Sequence, residues 1–288
     1  MKVFIDKSAI ESNIKNAERI TGKPIALMFK DFYEYVYPCL DVKNNILSKH
    51  IDNSVCYSIG CASTQNNGSV ISCFQEALKF HNDFGIKKFY IPINSLDNRE
   101  GFGLYKATKM ANVVRKMIPD AELTAMITSG CINEYFLPIS FWNSMDNETR
   151  SAFNRWSLGG SFYLGHEEFF SFADEIRIGE YMLFGTIPFC EKNHLLGRNG
   201  ITFKTRVLAV YPERDEFICD CGYSVCDIQN CSFLGFNKIK RASVDFVDSS
   251  SDYAIFKGCK GVEAGYELLF VPDYKSLVKL KNVEHGIV

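Results

Sequence analysis

No run of about 18 apolar residues occurs in the chain, so no membrane-spanning helix is expected. An excess of one charge is missing too. The 32 Lys and Arg nearly balance 34 Asp and Glu, and a formal net charge of −2 makes nucleic acid an unexpected partner. Residues 1–6 lead straight into a charged helical pattern without the apolar segment of a signal peptide, which points to a cytoplasmic protein. Cysteine knuckles of the C-x2-C kind are absent. The densest group, Cys219, Cys221, Cys226 and Cys231, is spaced C-x-C-x4-C-x4-C and fits none of the common zinc patterns. Its members therefore read as structural thiols. Eleven cysteines, an odd number, also argue against a closed disulfide framework. Internal repeats, low-complexity tracts, a P-loop and a dinucleotide fingerprint are likewise missing.

What is present is an apolar fraction of 47% in 288 residues, enough for one barrel domain and a small second domain. Ile10, Ile14, Ala17 and Ile20 recur at helical spacing within residues 8–21, and Gly22 ends the pattern. Strand-like runs follow at residues 25–29, 55–59, 88–93 and 123–127. They alternate with helical stretches at 70–84 and 104–118, which implies a parallel sheet. Apolar, glycine-interrupted segments at 156–164 and 175–184 bring the strand candidates to about six, where a closed eight-fold barrel needs eight. Either two strands hide in weakly patterned stretches such as 145–153, or the barrel is incomplete. Beyond about residue 190 come short strands with turn signals between them, at 202–211, 216–221, 240–246, 253–256 and 266–271. The expected architecture is an α/β chain: a TIM-type (β/α) barrel, complete or incomplete, over residues 1–190, then an all-β domain over residues 191–288.

Lys30 ends the apolar strand Pro24-Ile-Ala-Leu-Met-Phe-Lys30. A lysine there either reaches into water over its aliphatic stem or, partly desolvated, presents a free amine for Schiff-base formation. Ser157-Leu-Gly-Gly-Ser161 and Arg177-Ile-Gly-Glu180 each combine glycine with groups able to bind an anion, because glycine lets several backbone N–H groups approach a phosphate together. Both also read as ordinary barrel turns.

These segments, with the helix containing Ile10 and Asn13, Arg99-Glu-Gly101, Leu183-Phe-Gly185, Ser249-Ser-Ser-Asp-Tyr253 and Tyr274-Lys-Ser-Leu277, carry a resemblance. The chain resembles the alanine racemase and ornithine racemase family of fold type III pyridoxal-phosphate enzymes, and the ornithine racemase branch most. The resemblance implies a pyridoxal 5'-phosphate cofactor held by Lys30 as a Schiff base. Ser161 with the backbone at Gly179 and Glu180 would bind its phosphate, and Arg177 would face its ring nitrogen. It further implies a homodimer that inverts Cα of a free amino acid by two-base proton transfer. Lys30 is one base, and the other comes from the partner subunit's β domain, with Tyr223 favoured over Cys226. Arg99 would contact cofactor or substrate, and Tyr33 or Tyr35 the phosphate. The alternatives are a non-catalytic pyridoxal-phosphate-binding protein, an aldolase or decarboxylase on the same fold, and an interaction protein without cofactor. His166 with Glu167 and Glu168 reads as a helix-start cluster rather than a metal group.

Overall fold

The computed structural model describes residues 1–29, 45–48, 50–52, 55–59, 68–93, 101–127, 142, 145–187, 196–273, 276–280 and 283–288. The chain divides into two compact units. One takes in residues 1–10 and 198–288, and the other residues 11–29 and, within the described stretches, 45–197. The first strand, β1 (Lys2–Ile5), thus belongs with the C-terminal strands.

Helix α1 (Lys7–Thr21) begins where Asp6 Oδ1 accepts the Ala9 N–H at 2.9 Å, so a side chain satisfies an N–H that the first turn leaves open. Ile10, Ile14 and Ala17 are buried along one face. Gly22, at φ 62°, returns its N–H to Glu18 O and closes the helix.

The larger unit is built on β2 (Ile25–Phe29), β3 (Asn45–Ser48), β4 (His50–Asp52), β5 (Val55–Ile59), β6 (Gly68–Val70), α2 (Phe74–Phe84), β7 (Lys88–Ile93), α3 (Leu104–Met117), β8 (Glu122–Ile127), α4 (Asn147–Ser151), β9 (Arg155–Gly159), β10 (Glu175–Ile178) and α5 (Glu180–Phe184). Its sheet runs β3-β2-β10-β9-β8-β7-β6-β5-β4. Neighbours from β3 to β6 are parallel, while β5 and β4 are appended antiparallel. The result is a half-barrel sheet with helices, so the incomplete form of the expected barrel is the one observed.

Several local expectations shift. The stretch 145–153 hides no strand but the short α4, whose first turn is capped by Asp146 Oδ1 accepting from Thr149 N at 2.7 Å. Residues 156–164 and 175–184 are strands only at their beginnings. Two 3-10 segments, Ser161–Gly165 and Glu167–Phe172, follow β9, and α5 follows β10. His166, between those segments, pairs with Glu168 at 3.0 Å.

Parallel pairing places partner residues in rows across the sheet. One row holds Arg155, Thr124, Tyr90 and Val70; the next holds Glu175, Ser157, Met126 and Pro92; a third holds Ala26, Arg177 and Gly159. Residues between these rows point to the opposite face, as the period of two requires, and there Ile176, Leu158, Ile127, Ala125 and Ile91 are buried. The sheet has one apolar face and one face rich in polar groups, and both are covered.

The smaller unit comprises β1, β11 (Ile201–Tyr211), β12 (Glu216–Cys219), β13 (Ser232–Phe236), β14 (Asp245–Ser249), β15 (Ala254–Lys257), β16 (Glu267–Val271), α6 (Leu277–Leu280) and β17 (Glu284–Ile287). Strands β13-β16-β11-β12-β15-β14 form an antiparallel path, with β1 antiparallel to β11 and parallel to β17. Alternate residues of β11 are buried, among them Phe203. Phe203 stacks on Phe270, and Phe217 on Phe256, each at a centroid distance of 5.4 Å.

Candidate functional site

Arg177 is the central side chain. It lies near the carboxyl end of β10, is 2% exposed, and has the two smallest available neighbours in its row, Ala26 and Gly159. Its guanidinium lies across Gly159: a Cβ there would come within 2.1 Å of Arg177 Nη2. That close approach is the physical reason for a glycine at position 159. Nη1 donates to Ser157 O at 2.7 Å and to Ser157 Oγ at 2.8 Å, and Nη2 donates to Ile127 O. Nε and one Nη2 proton keep no acceptor among the described residues. Burial pulls the guanidinium down to about 10, against the opposing influence of Glu175, so it stays charged at neutral pH.

Behind Arg177 stands a buried polar chain. Glu175, two residues earlier and fully buried, is on the same face of β10. Ser157 Oγ donates to Glu175 Oε1 at 2.6 Å, which leaves only lone pairs for Arg177. Arg155 Nη2 lies 3.6 Å from Glu175 Oε2. Tyr90 is buried on the same face. Burial first, and then the Glu175 carboxylate, push its phenol well above the usual range. A carboxyl group and a guanidinium are thus linked through Ser157 in a buried interior, where neither charge would be tolerated alone.

The turn after β9 and the start of α5 meet at Ser161. Gly160, at φ 117°, adopts a backbone conformation that side chains disfavour and donates its N–H to Arg177 O at 3.0 Å. Ser161 Oγ accepts from Tyr181 N at 2.9 Å and from Gly179 N at 3.4 Å. With the hydroxyl oxygen accepting, its proton is available to an oxygen ligand. Tyr181 is anchored by Asn16 of α1, and Asn13 of the same helix donates to Met182 O at 3.1 Å, so the early helix steadies α5.

Ser161, Arg177, Gly179 and Glu180 are therefore brought together at the carboxyl edge of adjoining strands. Lys30, Tyr33, Tyr35 and Arg99 lie outside the described residues. The strand that leads to Lys30, β2, pairs directly with β10, with Leu27 opposite Ile178. Tyr223 belongs to the smaller unit and is 54% exposed, whereas Cys226 is fully buried. Glu175, Ser157 as a hydrogen-bonding group, Gly159 as a platform and Tyr90 join the site only in the folded structure. The one signal available was the spacing Glu175-Ile-Arg177, which puts opposite charges on one face of an apolar strand.

Among the described residues no group of three or more His, Cys, Asp or Glu is arranged to hold a metal ion. No helix there is long and apolar enough to cross a membrane.

No protein-family model matches the chain, and no curated protein matches it in sequence. Solved structures do. Alanine racemase from Acinetobacter baumannii superposes with a TM-score of 0.73 at 15% identity, over 99% of this chain and 98% of that one. Alanine racemase from Bartonella henselae with covalently bound pyridoxal phosphate gives 0.69 at 12% identity, over 99% of each chain. D-threo-3-hydroxyaspartate dehydratase from Delftia sp. HT23 gives 0.65 at 12% identity, over 99% and 94%. A half-barrel parallel sheet, a separate mainly antiparallel unit, and superposition over nearly the whole length together identify the fold of this chain as that of the alanine racemases.

Proposed function

We propose that the chain is a cytoplasmic, homodimeric, pyridoxal-phosphate-dependent amino-acid racemase acting on a free amino acid. Residues 1–190 would hold the cofactor, and residues 191–288 would supply a second acid to a partner subunit. The observation that carries this reading is Arg177: a buried, charged guanidinium at a strand end, with N–H donors uncommitted among the described residues. Such a donor set fits an uncharged aromatic ring nitrogen. It fits a protonated one badly, because two cations would then share a dry site.

Pyridoxal phosphate, when bound, supplies an electron sink that acidifies the Cα–H of an amino acid. Lys30 would hold the cofactor and move a proton at one face of Cα. Ser161 would donate its hydroxyl to the phosphate, beside the backbone N–H groups of Gly179 and Glu180. Arg177 would keep the ring nitrogen unprotonated, which weakens the sink and favours return of the proton to Cα over decarboxylation or side reactions. Tyr223, exposed on the smaller unit, would deliver the proton at the opposite face. An aldolase or decarboxylase is disfavoured by the same arginine, since a stronger sink calls for a carboxylate at the ring nitrogen.

Purified protein loaded with pyridoxal phosphate is expected to show a visible absorbance band that borohydride bleaches and that Lys30→Ala lacks. Exchange of the Cα hydrogen for deuterium, with inversion, should follow for some free amino acid. A protein that cannot be loaded would sink the reading, and loading without exchange would reduce it to a cofactor-binding protein.

A further inference from the structure

The smaller unit contains a second chemically loaded place, outside the proposed site residues of the sheet. Cys226 Sγ and Cys231 Sγ lie 3.4 Å apart, and both cysteines are unbridged. A disulfide needs about 2.05 Å, so the two sulfurs stand little more than 1 Å beyond bonding distance. We propose that Cys226 and Cys231 are a reversible dithiol–disulfide pair, in which Cys231 attacks and Cys226 resolves.

Their surroundings divide these roles. Cys226 is fully buried, while Cys231 is half-buried and reachable from solvent. Cys231 Sγ is 3.9 Å from Ser276 Oγ and 3.5 Å from Asp227 O, the acceptor for its proton while it is a thiol. The hydrogen bond from Cys226 draws the Cys231 thiol below its ordinary range. The same bond, together with burial, pushes Cys226 up. Deprotonation is thus easier at Cys231 than at Cys226, the division that thiol–disulfide exchange uses. Cys219 and Cys221 differ: burial pushes Cys221 up to about 12 and raises Cys219 as well, and neither has a sulfur partner at bonding reach among the described residues.

With glutathione disulfide as oxidant, the Cys231 thiolate attacks one glutathione sulfur, breaks its S–S bond and releases glutathione thiolate. The Cys226 proton passes to that leaving group or to water. The Cys226 sulfur then attacks Cys231, breaking the mixed disulfide and releasing the second glutathione. Two thiols become one disulfide as glutathione disulfide becomes two glutathiones, and excess thiol reverses the sequence.

The bond would act on a turn that is already tightly held. Val225 N and Cys226 N both donate to Gly222 O, at 3.0 and 3.1 Å. Tyr223 N donates to Ser250 O at 2.8 Å, and Lys279 Nζ donates to Tyr223 O at 2.9 Å. Gly222 is packed so closely that a Cβ would meet the Ser251 backbone at 2.3 Å. Closing Cys226 onto Cys231 ties this turn, with exposed Tyr223 at its tip, to the start of β13.

The test uses the full chain, reduced and then incubated with glutathione disulfide. Expected is a single new cross-linked peptide joining Cys226 to Cys231, lost again on treatment with dithiothreitol. Cys226→Ser should stop at glutathione on Cys231, and Cys231→Ser should form neither product. Because Cys226 is a core position, the half-buried Cys231→Ser variant keeps the test open if Cys226→Ser fails to fold. A cross-link between other cysteines, modification elsewhere with this pair still reduced, or glutathione carried by Cys226 in Cys231→Ser would each overturn the proposal. None of these outcomes depends on cofactor binding.

Discussion

The two units bury polar groups in opposite ways. In the smaller unit β11 alternates buried and open positions, and its interior is a stack of phenylalanines, so its charged residues are free to face water. In the larger unit β10 is buried at all four positions, and two of them are Glu175 and Arg177. A strand covered on both faces has nowhere to put a charge except the interior, and a charge persists there only with partners. An ionisable residue on the antiparallel strands carries little information, while one on the central parallel strands marks a site candidate.

The aromatic core of the smaller unit is the most sensitive to truncation. Phe256→Ala is expected to cost about 3–5 kcal/mol by urea denaturation, because Phe256 is 1% exposed and stacked on Phe217. A loss below about 1 kcal/mol would mean that the smaller unit is not held by this stack. Next comes the polar interior, where Glu175→Gln removes the charged acceptor of Ser157. It should cost about 1.5–3 kcal/mol and weaken pyridoxal-phosphate loading through Arg177, read by equilibrium unfolding and by cofactor titration. Unchanged loading would show that the buried chain supports the sheet alone. The smallest effect belongs to the opposite end of the same sheet, where Lys88 and Glu122 face each other across β7 and β8 at 3.6 Å, each more than a third exposed. Lys88→Ala should change stability by less than about 1 kcal/mol, with any effect fading as salt is added.

Much of this arrangement was legible from spacing. Ile10, Ile14 and Ala17 did form one buried helix face, and the runs at 25–29, 55–59, 88–93 and 123–127 did become strands. The short strands β3, β4 and β6 escaped notice because Asn45–Ser48, His50–Asp52 and Gly68–Val70 are too short to display a period. Residues 175–184 read as one apolar segment, although the chain changes from strand to helix at Gly179. β1 gave no sign of its destination, since an antiparallel partnership with β11 joins residues about two hundred positions apart.

The amino-acid order by itself determined the alternation of elements, the change of pattern near residue 190, and the candidacy of Ser161, Arg177, Gly179 and Glu180. Local spacing fixes which face of an element is apolar and where glycine permits a turn, and these properties need no partner. Only the tertiary structure decided that β10 lies between β2 and β9. That placement sets Arg177 over Gly159, lets Ser157 join it to Glu175, and brings Ser161 beneath the first turn of α5. Contacts between strands far apart in sequence depend on sheet order and register, and neither is written in the period of any single segment.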